Sequence, residues 1–86
     1  MNPAIDRAAR ALLSDAMRAR SCGHNGVRVD YMGVTDSLYV SISDGARKPV
    51  FNKQIALSRR PVTEVVSDIR GARDEIKDLP TFQVTA

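Results

Sequence analysis

Apolar positions along the chain follow two periods, and the switches between them mark out five elements. Ile5, Ala8, Ala9, Leu12, Leu13, Ala16 and Met17 recur three and four apart, the spacing of one face of an α-helix. Asn2 offers a side-chain acceptor ahead of that run, and Pro3 has its φ preset for a first helical position. Asp6 places an anion in the first turn, where the helix dipole favours it. Arg18 and Arg20 fall in the last turn, and Gly23 offers a left-handed stop. The pattern predicts a helix over about residues 3–21, about 28 Å long at 1.5 Å per residue. A chain of this length has an expected radius of gyration of about 12 Å. The helix must then lie across the whole body and form much of one layer.

After the loop-forming run Ser21-Cys22-Gly23-His24-Asn25-Gly26 the period drops to two. Val27, Val29 and Tyr31 alternate with Arg28, Asp30 and Met32, as in a half-buried strand. Gly33-Val34-Thr35-Asp36 reads as a turn, and Leu38, Val40 and Ile42 then alternate with Ser37, Tyr39, Ser41 and Ser43. Asp44-Gly45 is a hairpin signal, and Val50 to Leu57 reads as a third strand. Placing Phe51, Ile55 and Leu57 inward puts Lys53 inward as well, which a bulge or an edge position would accommodate. Pro61 closes this region and can open a helix. Val62, Val65, Val66, Ile69, Ala72, Ile76 and Leu79 then return to helical spacing until Pro80. Gly71 inside that run costs ~1 kcal/mol relative to alanine and marks a kink or the close approach of another backbone. Residues 81–86, with Phe82 and Val84, read as a short fourth strand or as a tail.

Helix, three strands, helix is the order of a two-layer α+β sandwich. The expected fold is a single domain over residues 1–86, an antiparallel three-stranded sheet covered on one face by two helices. Its other face would carry Arg28, Asp30, Met32, Tyr39, Ser41 and Ser43, mostly polar and wet. Over residues 3–79 this order resembles the double-stranded-RNA-binding domain in topology. That family reads RNA with a histidine-bearing loop between its first two strands and a lysine cluster opening its second helix. The corresponding segments here are Gly33-Val34-Thr35-Asp36 and Arg60-Pro61-Val62-Thr63-Glu64. The resemblance therefore stays with the fold and assigns no RNA-binding residue.

At 86 residues the chain supports one core, and no stretch approaches the ~20 consecutive apolar residues of a spanning helix. A single cysteine excludes a disulfide-built scaffold. Met1 to Asp6 lacks the basic leader and apolar run of a secretory signal, and Asp6 and Asp15 interrupt the basic face of a transit peptide. The expected compartment is the cytoplasm, with Cys22 a free thiol. Cys22 and His24 lie two apart, but a zinc site needs about four ligands, and the sequence has no second cysteine or histidine. No metal and no cofactor is expected. Asp74, Glu75 and Asp78 share a solvated helix face without a pocket to perturb them. No glycine-rich phosphate loop is present. No catalytic residue is assigned, and an enzyme is the least expected class.

Net charge is +3, from 13 basic against 10 acidic side chains. Ten of the cations are arginine, which favours bidentate contacts to carboxylate or phosphate. Arg47, Lys48, Lys53, Arg59 and Arg60 fall within residues 47–60 with no acid among them. Arg28 and Tyr39 join them as candidates on the open sheet face, Tyr39 as a stacking platform. The first functional expectation is a small non-catalytic interaction protein that binds a surface of a larger, nucleic-acid-handling protein complex. Phage-borne inhibitors such as anti-CRISPR proteins share this size and composition. The alternative is direct nucleic-acid binding through Arg28, Arg47, Lys48, Lys53, Arg59 and Arg60. A homodimer is compatible with this chain: a core without tryptophan is thin, and an open sheet edge or the Phe82–Val84 segment could pair with a second copy.

Overall fold

The computed structural model describes residues 2–21, 23, 26–43 and 49–79. Its elements are α1 (Pro3–Ser21), β1 (Val27–Met32), β2 (Ser37–Ser43), β3 (Pro49–Ala56) and α2 (Val62–Lys77), in the order the periodicity predicts. The capping residues of α1 act as expected. Asn2 Oδ1 accepts the Ala4 N–H at 2.8 Å, and Asp6 holds Arg10 one turn on at 3.0 Å. At the other end Gly23 takes φ 94°, and its N–H donates to the Arg20 carbonyl at 3.0 Å. That left-handed geometry strains any residue with a Cβ. The Cys22–His24 pair, the Asp44-Gly45 hairpin, Arg47, Lys48 and residues 81–86 lie outside the described residues.

The sheet is antiparallel in the order β1-β2-β3. Val29 pairs with Val40 and Tyr31 with Leu38 across β1 and β2, while Leu38 pairs with Ile55, Val40 with Lys53 and Ile42 with Phe51 across β2 and β3. Alternation then puts these residues on one face, with Arg28, Asp30, Tyr39, Ser41, Asn52 and Gln54 on the other. Lys53 does share the inner face, and edge position is what accommodates it. The register shift falls between Ile42 and Ser43, away from Lys53, whose ammonium reaches past the rim of β3 to Asp68 of α2 at 3.5 Å.

Both helices cover the inner face and pack on each other, α1 over β1 and α2 over β3. Between the layers lie Leu12 of α1, Val40 and Ile42 of β2, Ile55 of β3, and Val65, Ile69 and Ile76 of α2, all fully buried. Each contributes about 1.5–3 kcal/mol relative to staying in water. The buried core of the described residues is entirely aliphatic. The radius of gyration is 12.8 Å, and the longest dimension of 36 Å accommodates the full length of α1.

Two features of the helices depart from the sequence reading. Periodicity puts Leu13 and Met17 inward, yet they are 49% and 65% exposed, while Asp15 and Ala19 are buried instead. The apolar stripe of α1 is wider than its line of contact and overhangs the sheet beside β1. Asp15 tolerates burial because its carboxylate accepts a hydrogen bond from Arg73 Nε of α2 at 2.7 Å, pinning the two helices together. Gly71 neither receives another backbone nor interrupts α2: it is exposed, and beyond its chain neighbours and the local backbone of α2 nothing lies within 4 Å of where its Cβ would stand.

Gly71→Ala should therefore stabilise the fold by about 0.5–1 kcal/mol through helix propensity, read as a higher urea midpoint at unchanged slope. Arg73→Ala should have the opposite effect. It leaves the Asp15 carboxylate buried without its donor and should cost about 1–3 kcal/mol, whereas Asp15→Ala with Arg73→Ala should recover part of that loss.

Candidate functional site

Of the cations within residues 47–60, Lys53 and Arg60 are drawn to one carboxylate that another element supplies. Lys53 stands on β3, and Arg60 ends the Ser58–Arg60 turn before α2. Both converge on Asp68, one turn further along α2 than Glu64. Arg60 Nη2 donates to Asp68 Oδ2 at 2.8 Å and Lys53 Nζ lies 3.5 Å from Oδ1. Arg60 Nη1 also donates to the Ala56 carbonyl at 3.4 Å, so its guanidinium covers part of the β3 edge. The Arg60 hydrogen bond, helped by the Lys53 charge, holds the Asp68 carboxyl below its ordinary value of 3.8 against the opposing effect of partial burial. Arg59 is exposed in the same turn at φ 62°, a left-handed backbone uncommon for a residue with a Cβ.

Arg28 and Tyr39 lie elsewhere, on the face of the sheet that no helix covers. Arg28 pairs with Asp30 two residues along its own strand. Tyr39 sits at mid-strand in β2, its ring half-buried and its hydroxyl donating to Asn52 Oδ1 at 2.9 Å across the β2–β3 ladder. Gln54 Nε2 reaches the Ser37 hydroxyl at 3.4 Å, and Ser37 in turn donates to the Thr35 side chain at 2.9 Å. Serine, amide and tyrosine groups thus form a cross-linked polar platform around Tyr39. Sequence alternation identified the β1 and β2 half of this platform. It missed Asn52 and Gln54, which the inner-face reading of Phe51, Ile55 and Leu57 implies at the intervening positions.

Two further surfaces have no counterpart in the linear charge pattern. Between the helices runs a groove of about 370 Å³, floored by Ala8, Ala11, Val66 and Ile69 and rimmed by Arg7, Arg70 and Arg73. Along the opposite side of α1, Leu13 and Met17 overhang Val27, Val29 and Tyr31 of β1, leaving an apolar trough of about 230 Å³ and an adjoining one of about 580 Å³ whose lining also includes Arg20, Ser21 and Arg28. The Tyr31 hydroxyl donates to Asp36 Oδ1 at 2.8 Å, which raises the pKa of the phenol.

No group of three or more histidine, cysteine, aspartate or glutamate side chains among the described residues is placed to hold a metal ion. No described helix is long and apolar enough to cross a membrane. No family model, curated protein or solved structure matches the chain.

The pinned Asp68 carboxylate carries a pH signature. Its pKa is lower in the folded state than in the unfolded chain, so its stabilising effect is present above the ordinary value of 3.8. That effect is lost as the pH falls through the lower, folded value. Asp68→Asn should melt below the parent by up to about 5 °C at pH 7, and thermal scans taken toward pH 2 should show the two melting temperatures converge.

Proposed function

We propose that the protein is a non-catalytic interaction protein that docks on a surface of a larger protein assembly through the open face of its sheet, with Tyr39 as the anchor. The observation that carries this reading is the platform itself. A tyrosine fixed by Asn52 is surrounded by serine and amide groups, some of them already ordered by cross-strand hydrogen bonds. Tyrosine gives large contact area for little lost rotamer freedom, and serine and asparagine adapt their hydrogen bonds to a protein surface. Preorganised groups also lose less entropy on binding.

Direct nucleic-acid binding has weaker support. Arg28, Lys53 and Arg60 already face carboxylates of this chain, and a phosphate would have to compete with Asp30 and Asp68 for them. Within the protein-binding reading, the body fits the kind of small inhibitor that covers a working surface of a nucleic-acid-handling complex, as anti-CRISPR proteins do. Size, composition and the polar platform support that role, and a cytoplasmic location goes with it.

Arg60 is a poor probe of these alternatives, because reversing its charge would place two carboxylates together at Asp68. Arg59 is the better one. Tagged protein exposed to nuclease-treated lysate should retain a protein partner, with retention at least tenfold weaker for Tyr39→Ala and unchanged for Arg59→Glu. Retention that disappears with nuclease treatment would turn the reading to nucleic acid. So would binding to duplex or single strands that falls steeply with salt and is lost in Arg59→Glu.

A further inference from the structure

The two edges of the sheet are built differently, and the difference points to a partner. Edge strands expose backbone donors and acceptors that invite another strand, and proteins commonly close them with inward-facing lysine or a covering side chain. The β3 edge has both devices: Lys53 faces inward there, and Arg60 caps the Ala56 carbonyl at 3.4 Å. Among the described residues no inward-facing lysine stands on β1, and no side-chain hydrogen bond to the outward backbone groups of Val27, Val29 or Tyr31 is seen. Ser43 N–H donates to the Gly26 carbonyl at 2.9 Å, which sets the phase of the β1–β2 ladder. In that phase Arg28 and Asp30 exchange their bonds with β2, while Val27, Val29 and Tyr31 turn their N–H and C=O groups outward. Among the described residues no strand pairs with them.

On the helix side this edge is flanked by exposed apolar side chains, with Arg20 and Ser21 at the end of α1, and on the other side by charges. Leu13 at 49%, Met17 at 65% and Tyr31 at 56% exposure form a shelf above it. Below it stand Arg28 and Asp30, two residues apart on one strand. We propose that β1 pairs antiparallel with β1 of a second copy, about a two-fold axis at Val29.

Three two-fold registers keep a hydrogen-bonded ladder within β1, and charge selects among them. An axis at Arg28 sets Arg28 against the partner's Arg28, and an axis at Asp30 sets the two aspartates face to face; like charges directly opposite destabilise a strand pair. An axis at Val29 places Arg28 opposite the partner's Asp30, twice. The same register pairs the outward groups of Val29 with those of the partner's Val29, and those of Val27 with the partner's Tyr31. The axis stands perpendicular to the sheet, so both α1 helices lie on one side and bring Leu13 and Met17 of the two copies together over the seam. The open faces become one surface of six strands.

The charge pair also supplies the test. Light scattering after gel filtration, over a concentration series to about millimolar, should show a mass rising toward twice 9.4 kDa. Leu13→Glu with Met17→Glu, both at exposed sites, should give a folded monomer by circular dichroism. Arg28→Asp alone and Asp30→Arg alone should each weaken self-association at least tenfold, because each places like charges opposite one another. Mixing those two variants should restore a dimer, since every carboxylate of the first copy then faces a guanidinium of the second. A parent protein that stays monomeric throughout the series would overturn the proposal. So would a dimer indifferent to both reversals, or a mixture that stays apart. Capture of a partner through Tyr39 is a separate measurement, and either result stands without the other.

Discussion

A three-stranded sheet satisfies the backbone hydrogen bonds of its middle strand and leaves one row of donors and acceptors on each of the outer two. β2 holds that middle place, and its apolar residues Leu38, Val40 and Ile42 are correspondingly among the deepest of the sheet. Everything else is arranged around the two rows that remain. On the β3 side the turn into α2 folds Arg60 back over the strand, and Asp68 holds both Arg60 and Lys53 there. One carboxylate thereby closes an edge, ties α2 to the sheet, and engages two cations that in sequence look available for phosphate. Among the described residues the β1 side shows no such carboxylate clasp, and it is also where α1 keeps its surplus apolar residues.

Counting charges along the chain misleads because carboxylates arrive from distant positions. Residues 47–60 contain no acid, yet Asp68 lies eight residues past Arg60, about two helical turns, and α2 swings it back over the turn. Arg73 and Asp15 show the same effect at larger separation, 58 residues apart and 2.7 Å in space. The partly exposed pairs on Asp68 are individually weaker than the buried one at Asp15. Their consequence for function is larger than their energy, since a guanidinium already on a carboxylate is a poorer phosphate ligand than its place in the sequence suggests.

The fold was legible because the dominant period changes from element to element and the punctuation between them is clear. Asn2, Pro3 and Gly23 bound α1, Gly33–Asp36 separates β1 from β2, and Pro61 stands immediately before α2. Less was legible where one residue answers to two neighbours. Leu13 and Met17 match the helical period, but the period does not say how wide a strip the rest of the protein can cover. Asp15 breaks the apolar face of α1, and its donor sits on a helix that begins only after the whole sheet has been laid down. Of the candidate residues, alternation alone put Arg28 and Tyr39 on the open face, whereas the fate of Lys53 and Arg60 depended on where α2 packs.

Size explains why the leftover surfaces matter. A chain of 86 residues buries a smaller fraction of its surface than a larger domain, and each large apolar side chain left outside is a sizeable share of the possible core. The buried interior of the described residues has no aromatic ring, while Tyr31 and Tyr39 both reach the surface, one at the β1 rim and one amid the polar platform. Tyr31 stands beside Leu13 and Val29, and Tyr39 beside Asn52 and Gln54. The first setting is apolar, with backbone groups at its margin that no described strand pairs, and the second is polar with hydrogen bonds already formed. A strand from another chain suits the former, and the rigid surface of a larger protein suits the latter. An edge and a face of such different chemistry, on one small body, are suited to separate associations that do not compete for the same atoms.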